Sequence, residues 1–188
     1  EMVQRSKLMQ VEVQKYYEAG YLPSANGSYI ELEDFKQDWA QIGLYLWWPS
    51  GVTVDTFVAS AHFSWSSAVA NPETSGCGFA FEIFESGSPY VVFLDKSRVL
   101  FLWGGNVQVG RSSGTGRVNF SLPAEADFTL IVNNIDKKAY VLVNDEFIGG
   151  YDRQTSYGGQ FGYTALSGTN KDFGTHCEIT NVRLWKIK

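Results

Sequence analysis

Between Phe57 and Trp65 every second residue is apolar: Phe57, Ala59, Ala61, Phe63 and Trp65 alternate with Val58, Ser60, His62 and Ser64. Successive side chains on an extended backbone point to opposite faces, so this run describes a strand with one side on a core and the other mostly polar. A helix would scatter the same residues around its circumference. The apolar side needs a second layer to cover it, and that requirement constrains the rest of the chain.

The same rule reads on in both directions. Ile42–Trp48 forms a strand ended by the turn Pro49-Ser50-Gly51. In Cys77–Phe84, residues Cys77, Phe79, Phe81 and Ile83 share one face against Gly78, Ala80, Glu82 and Phe84. Tyr90–Asp95 and Arg98–Trp103 are two more strands, followed by a glycine-rich loop from Gly104 to Gly116. Phe128–Asn133, Lys138–Val143 and Glu146–Gly150 form a meander. Its second turn, Asn144-Asp145, uses the residue types that accept positive φ. Gln160–Leu166 and His176–Ile187 close the series. Many short strands with turn signals between them, and no alternating helices, predict an all-β sandwich or barrel.

Residues 1–20 differ. Met2, Met9, Val13, Tyr16 and Tyr17 recur at helical spacing before Gly20, which reads as a short N-terminal helix or the tail of a linker. The expected division is therefore 1–20 for this segment and 21–188 for the β domain.

Charge excludes one class of partner. Fifteen basic residues face twenty acidic ones, the net charge is −5, and no cluster of Lys or Arg supplies the basic stripe that nucleic acid requires. No apolar run reaches the roughly 18 residues of a membrane span. The chain opens at Glu1, as a processed product or a piece of a larger protein does, so nothing about a leader can be read from it. The two cysteines, Cys77 and Cys177, are either separate buried thiols or a bridge. With 19% charged residues and sequons at Asn26-Gly27-Ser28 and Asn119-Phe120-Ser121, the bridge and an extracellular setting are expected.

The order of elements resembles the concanavalin A-like lectin/glucanase superfamily, in particular its laminin-G-like branch and the domains labelled 3-keto-disaccharide hydrolase. The residues carrying the likeness are Phe57–Trp65, Gly76–Phe81, Tyr90–Asp95, the hairpin Tyr140–Gly149 and the final strand Ile179–Trp185. The resemblance implies a two-sheet antiparallel jelly-roll β-sandwich whose concave face or rim loops take glycan. Calcium accompanies many relatives. Here Asp145, Asp152, Asn170 and Asp172 lie in loops without Asp-x-Asp-x-Asp spacing, so a metal stays open and no cofactor is expected.

Hydrolases of that fold carry Glu-x-Asp-x-Glu along one strand. The nearest stretch here, Glu82-Ile83-Phe84-Glu85-Ser86, has Glu, Phe and Ser at the three positions, and Glu31 and Glu33 lack a third partner. His176 and Cys177 are neighbours on a strand and point apart, so they form no nucleophile–base pair. Binding without catalysis is the reading that remains.

For binding, aromatic faces matter. Consecutive Trp47 and Trp48 cannot both face the core, and Tyr45 shares a side with Trp47. Trp103 ends a strand before Gly104-Gly105, where rim loops gather, whereas Trp65 and Trp185 belong to core-facing sets. His62 lies on the polar side of its strand and Glu82 on the less apolar side of another, so the two are candidates to share a groove. The candidate ligand set is Tyr45, Trp47, His62, Glu82 and Trp103. The expected function is a non-catalytic extracellular module for carbohydrate or cell-surface glycan. The alternatives are a structural or protein-interaction domain within a larger secreted protein, and a glycoside hydrolase.

Overall fold

A computed structural model describes residues 1–188. One helix, α1 (Met2–Glu18), precedes fourteen strands. In chain order these are β1 (Gly27–Leu32), β2 (Phe35–Trp39), β3 (Tyr45–Val54), β4 (Phe57–Ser67), β5 (Gly76–Ile83), β6 (Tyr90–Asp95) and β7 (Val99–Trp103). They continue as β8 (Val107–Gln108), β9 (Gly110–Gly114), β10 (Ala124–Asn133), β11 (Lys138–Val143), β12 (Glu146–Asp152), β13 (Gly159–Leu166) and β14 (Thr175–Ile187). One sheet runs β1-β14-β4-β10-β11-β12-β9, with β2 also paired to β14; the other runs β3-β13-β5-β6-β7-β8. All the ladders named are antiparallel, and the two sheets stack as a jelly-roll sandwich.

The alternation of Phe57–Trp65 does what it predicts. Phe57, Ala59, Ala61, Phe63 and Trp65 all enter the core between the sheets, where Cys77, Phe79 and Phe81 of β5 meet them. Phe63 meets Phe79 edge-on at 5.2 Å and stacks with Phe128 at 4.8 Å, the two favoured aromatic geometries. Cys77 and Cys177 form a disulfide, which ties β5 to β14 through the middle of the core.

Three departures from the sequence expectation come from irregularities within strands, the first two of which shift strand parity. Trp185 is buried, but not between the sheets. A register shift between Thr180 and Arg183, with Asn181 at φ 53°, turns Val182 and Leu184 inward and Trp185 outward. Glu82 has φ 55°, so Ile83 leaves the face of Cys77, Phe79 and Phe81 and packs on the outer side with Ala80. Pro49-Ser50-Gly51 does not end its strand. Pairing passes from Pro49 to Val52 opposite Gly162 and Phe161, and the two residues between form a bulge within β3.

Two further expectations need correction. The glycine-rich span is not wholly loop, because β8 and β9 lie within it. Helix α1 uses little of its stripe: Met9 and Val13 are buried, while Met2 and Tyr17 are exposed. Those two contacts, with Tyr16 beside them, close over Val58, Ile131, Leu142 and Trp185 on the outer face of the eight-stranded sheet. The indole N–H of Trp185 donates to the Ala25 carbonyl at 3.2 Å, which also fastens the segment after the helix.

Candidate functional site

Helix α1 covers part of the eight-stranded sheet, while the outer face of the six-stranded sheet carries a part-exposed aromatic pair. Alternation along β3 divides the consecutive tryptophans. Trp48 turns inward against Phe35, 5.3 Å away, while Trp47 turns outward beside Tyr45, with ring centres 6.2 Å apart. Tyr45 also lies 5.5 Å from Phe93 of β6, and its hydroxyl donates to the Gly105 carbonyl in the turn after β7.

That last contact reports the shape of the face. In a flat sheet β3 and β7 would stand four strand spacings apart, about 19 Å, far beyond the reach of one tyrosine. The sheet must therefore curl towards its outer side, and the turn must fold in over it. The floor between is built from small residues. Gly76, Gly78 and Ala80 of β5 and Gly162 of β13 take the outward positions opposite inward Cys77, Phe79, Phe81 and Phe161. A Cβ on Gly78 would lie 1.9 Å from the Val92 carbonyl oxygen, so no larger residue fits there. The aromatic rings can settle onto backbone. Phe93 and Leu100 complete the face; the sequence reading missed both, although alternation within Tyr90–Asp95 already separates Phe93 from Tyr90 and Val92.

The other expected site residues stand elsewhere. Trp103 stacks on the buried Tyr90 at 5.8 Å and packs against the inter-sheet core, so it does not extend the Tyr45–Trp47 surface. His62 and Glu82 belong to different sheets and share no groove, which overturns their pairing. His62 sits on β4 with its Nδ1 2.9 Å from Asp127, its cross-strand neighbour on β10. Glu82 is buried. It accepts from Arg153 at 3.2 Å and from the Thr155 hydroxyl at 2.8 Å. Burial raises its pKa, with Thr155 and Arg153 opposing the shift. Glu82 is spent on holding the fold.

The candidate carboxylate Glu31 is engaged by its neighbours. Glu31 accepts from the Tyr29 hydroxyl at 2.9 Å and pairs with Arg5 at 3.4 Å. No group of three or more His, Cys, Asp or Glu side chains is placed to hold a metal ion. Of the loop candidates, Asn170 accepts from the Ile42 amide at 2.8 Å and Asp152 from Lys138 at 2.6 Å.

His176 lies between Asp38, at 2.5 Å, and Glu178, at 3.0 Å, and hydrogen bonds to Glu178 and then Asp38 raise its pKa. A raised folded value means that the stability it contributes is present below the usual histidine pKa of about 6.5 and is lost as pH rises through the folded value. An NMR titration should place the His176 midpoint above 6.5, and Asp38→Asn should move it down. A midpoint that the substitution leaves unmoved contradicts the geometry.

A scan against protein-family models and a comparison with curated proteins each return no match. Solved structures do match. The carbohydrate binding module CBM66 from Bacillus subtilis aligns with TM-score 0.56 and 10% identity, over 84% of this chain and 96% of that one. Basic winged bean lectin, solved with Tn-antigen, aligns with TM-score 0.51 and 11% identity, over 85% and 98%. A fructosyltransferase from A. japonicus aligns with TM-score 0.53 and 16% identity over 86% of this chain, which spans only 26% of that enzyme. At these identities the likeness establishes the fold alone: the chain is a concanavalin A-like jelly-roll sandwich with a short N-terminal helix.

Proposed function

We propose that this chain is a non-catalytic carbohydrate-binding module of an extracellular protein, and that sugar stacks on the Tyr45–Trp47 surface. The observation that carries the reading is the part-exposed aromatic pair on the outer face towards which the sheet curls. A pyranose ring presents an apolar C–H face to such rings and hydroxyls to nearby backbone carbonyls. The fold shared with a carbohydrate binding module and a lectin supports it, and the disulfide suits an oxidising compartment.

One feature favours a protein partner instead. Leu46 on the edge strand β3 is exposed, as are Ile42 and Leu44 just before it, and a second chain could add a strand along that edge. Affinity electrophoresis through gels holding neutral and acidic polysaccharides separates the two. Retardation by at least one polymer is expected, reduced roughly tenfold in affinity by Trp47→Ala, about 1.4 kcal/mol. Free migration through every polymer would reject the glycan reading and leave the edge strand as the binding surface.

A further inference from the structure

Three arginines without an ion pair gather at one margin of the sandwich in this acidic chain. Arg98, Arg111 and Arg117 line a cavity of ≈ 450 Å³ at the margin where β7 and β8 approach β9 and β12. Arg98 and Arg117 are partners in an isolated antiparallel bridge, so their side chains leave the backbone on the same side. None of the three makes an ion pair, and from Lys96 to Ala124 the chain has no Asp or Glu. Arg111 spends one N–H on the Gly114 carbonyl and keeps the rest of its fork free.

A second observation points to a ligand at the same place. Tyr151 lines the cavity, is only 4% exposed, and its hydroxyl has no hydrogen-bond partner. Burial pushes its pKa up to about 12, so at neutral pH it is a phenol with a proton to donate. Arg111 converges on it: a Cβ built at Gly116 would stand 3.4 Å from the Arg111 Nε and 3.6 Å from the Tyr151 hydroxyl. A buried hydroxyl left unpaired is costly, and an anionic oxygen would satisfy it together with the guanidinium forks. Guanidinium groups are weakly hydrated and match carboxylate and sulfate geometry, which suits them to this task.

Leu100 joins the two surfaces. It packs on the same outer-face cluster as Tyr45 and Trp47 and also lines the cavity. We propose that the cavity takes the acidic substituent, carboxylate or sulfate, of a polyanionic glycan whose sugar rings lie on the Tyr45–Trp47 surface. The inference rests on the carbohydrate reading and narrows it to acidic polymers. Carboxylate and sulfate share the chemistry, so the test carries both.

The experiment is affinity electrophoresis of the full chain at low salt through gels holding dextran, dextran sulfate or polygalacturonate. Sedimentation with phosphatidylserine vesicles serves as a further arm. At least one acidic polymer should bind roughly tenfold more tightly than dextran, the sulfated and carboxylated arms reporting which substituent is preferred. Arg98→Ala with Arg117→Ala should remove that advantage, and Tyr151→Phe should weaken it about fivefold. Tyr151→Phe removes a hydroxyl that bonds to nothing, so its melting temperature should hold, separating recognition from folding. Acidic and neutral polymers bound equally, with loss on Trp47→Ala alone, would overturn the anion site and leave the aromatic reading standing. Arginine-dependent binding indifferent to Trp47→Ala would support the cavity and remove the aromatic surface from the mechanism. Binding to the vesicles with none to any polymer would overturn both.

Discussion

The double variant Cys77→Ala, Cys177→Ala is expected to lose up to about 4.7 kcal/mol of stability, the chain-entropy value for a closed loop of this length. The bridge spans a sequence separation of 100 residues. For a domain of this size the loss corresponds to a melting temperature lower by about 10–20 °C. Beyond restricting the unfolded chain, the bridge joins β5 and β14, which lie inside the two different sheets, so its removal loosens the stacking of layers. Both cysteines are fully buried, and a reductant should cleave the bridge only as fast as the protein opens. Calorimetry of the variant against the parent is the measurement. A decrease under about 3 °C, well below the expected range, would show that the unfolded chain is restrained by something else.

Arg153→Met should be nearly as damaging, at about 3–5 kcal/mol, because it strands a buried carboxylate. The Arg153 side chain is wholly buried and pairs with Glu82 at 3.2 Å. It also donates to the Asn133 carbonyl at 3.1 Å and the Thr155 carbonyl at 3.0 Å, with its guanidinium 5.5 Å from the Phe81 ring centre. One side chain thus links β5, the end of β10 and the segment after β12.

The pH dependence has a definite sign. The Glu82 pKa is raised by burial, so its contribution favours the fold below the ordinary carboxylate range and is lost as pH rises through its folded value. Removing Arg153 deletes one of the groups that hold that value down. The deficit of Arg153→Met should therefore be greatest near neutrality and shrink in acid, where Glu82 can accept a proton. Urea titrations at neutral and mildly acidic pH test this, and combining the change with Glu82→Gln should recover much of the loss. A deficit independent of pH would mean that the lost packing on Phe81 and Tyr90, rather than the stranded charge, dominates.

The strands that could be read from the sequence are those in which period two runs unbroken. In Phe57–Trp65 all five inward residues and the polar face are evident from one line of text. Elsewhere a single irregular residue inverts everything after it. Glu82 and Asn181 adopt positive φ although neither is glycine, and nothing in their surroundings announces it. Ile83 and Trp185 were misplaced for that reason alone.

The site divides along the same line. Trp47 and Tyr45 are local consequences of alternation on β3, and the sequence yields them. The separation of His62 from Glu82 depends on which strands share a sheet, which alternation does not encode. The arginine cavity left one visible trace, the acid-free stretch from Lys96 to Ala124. Its meaning depends on the bridge that sets Arg98 opposite Arg117, a contact formed only once the chain has turned back on itself.

The covalent link between Cys77 and Cys177 also decides how the molecule responds to tension. Force applied at the two ends of the chain passes from residue 77 directly to residue 177, and the strands between them carry none of it. Pulled to full extension, the oxidised protein can release only the segments outside that loop, at about 3.3–3.6 Å for each residue. Roughly half of its contour length stays locked until a reductant reaches the sulfurs. Because β6 to β13 lie within the locked part, the residues that line the arginine cavity bear none of the pulling force while the bridge stays closed.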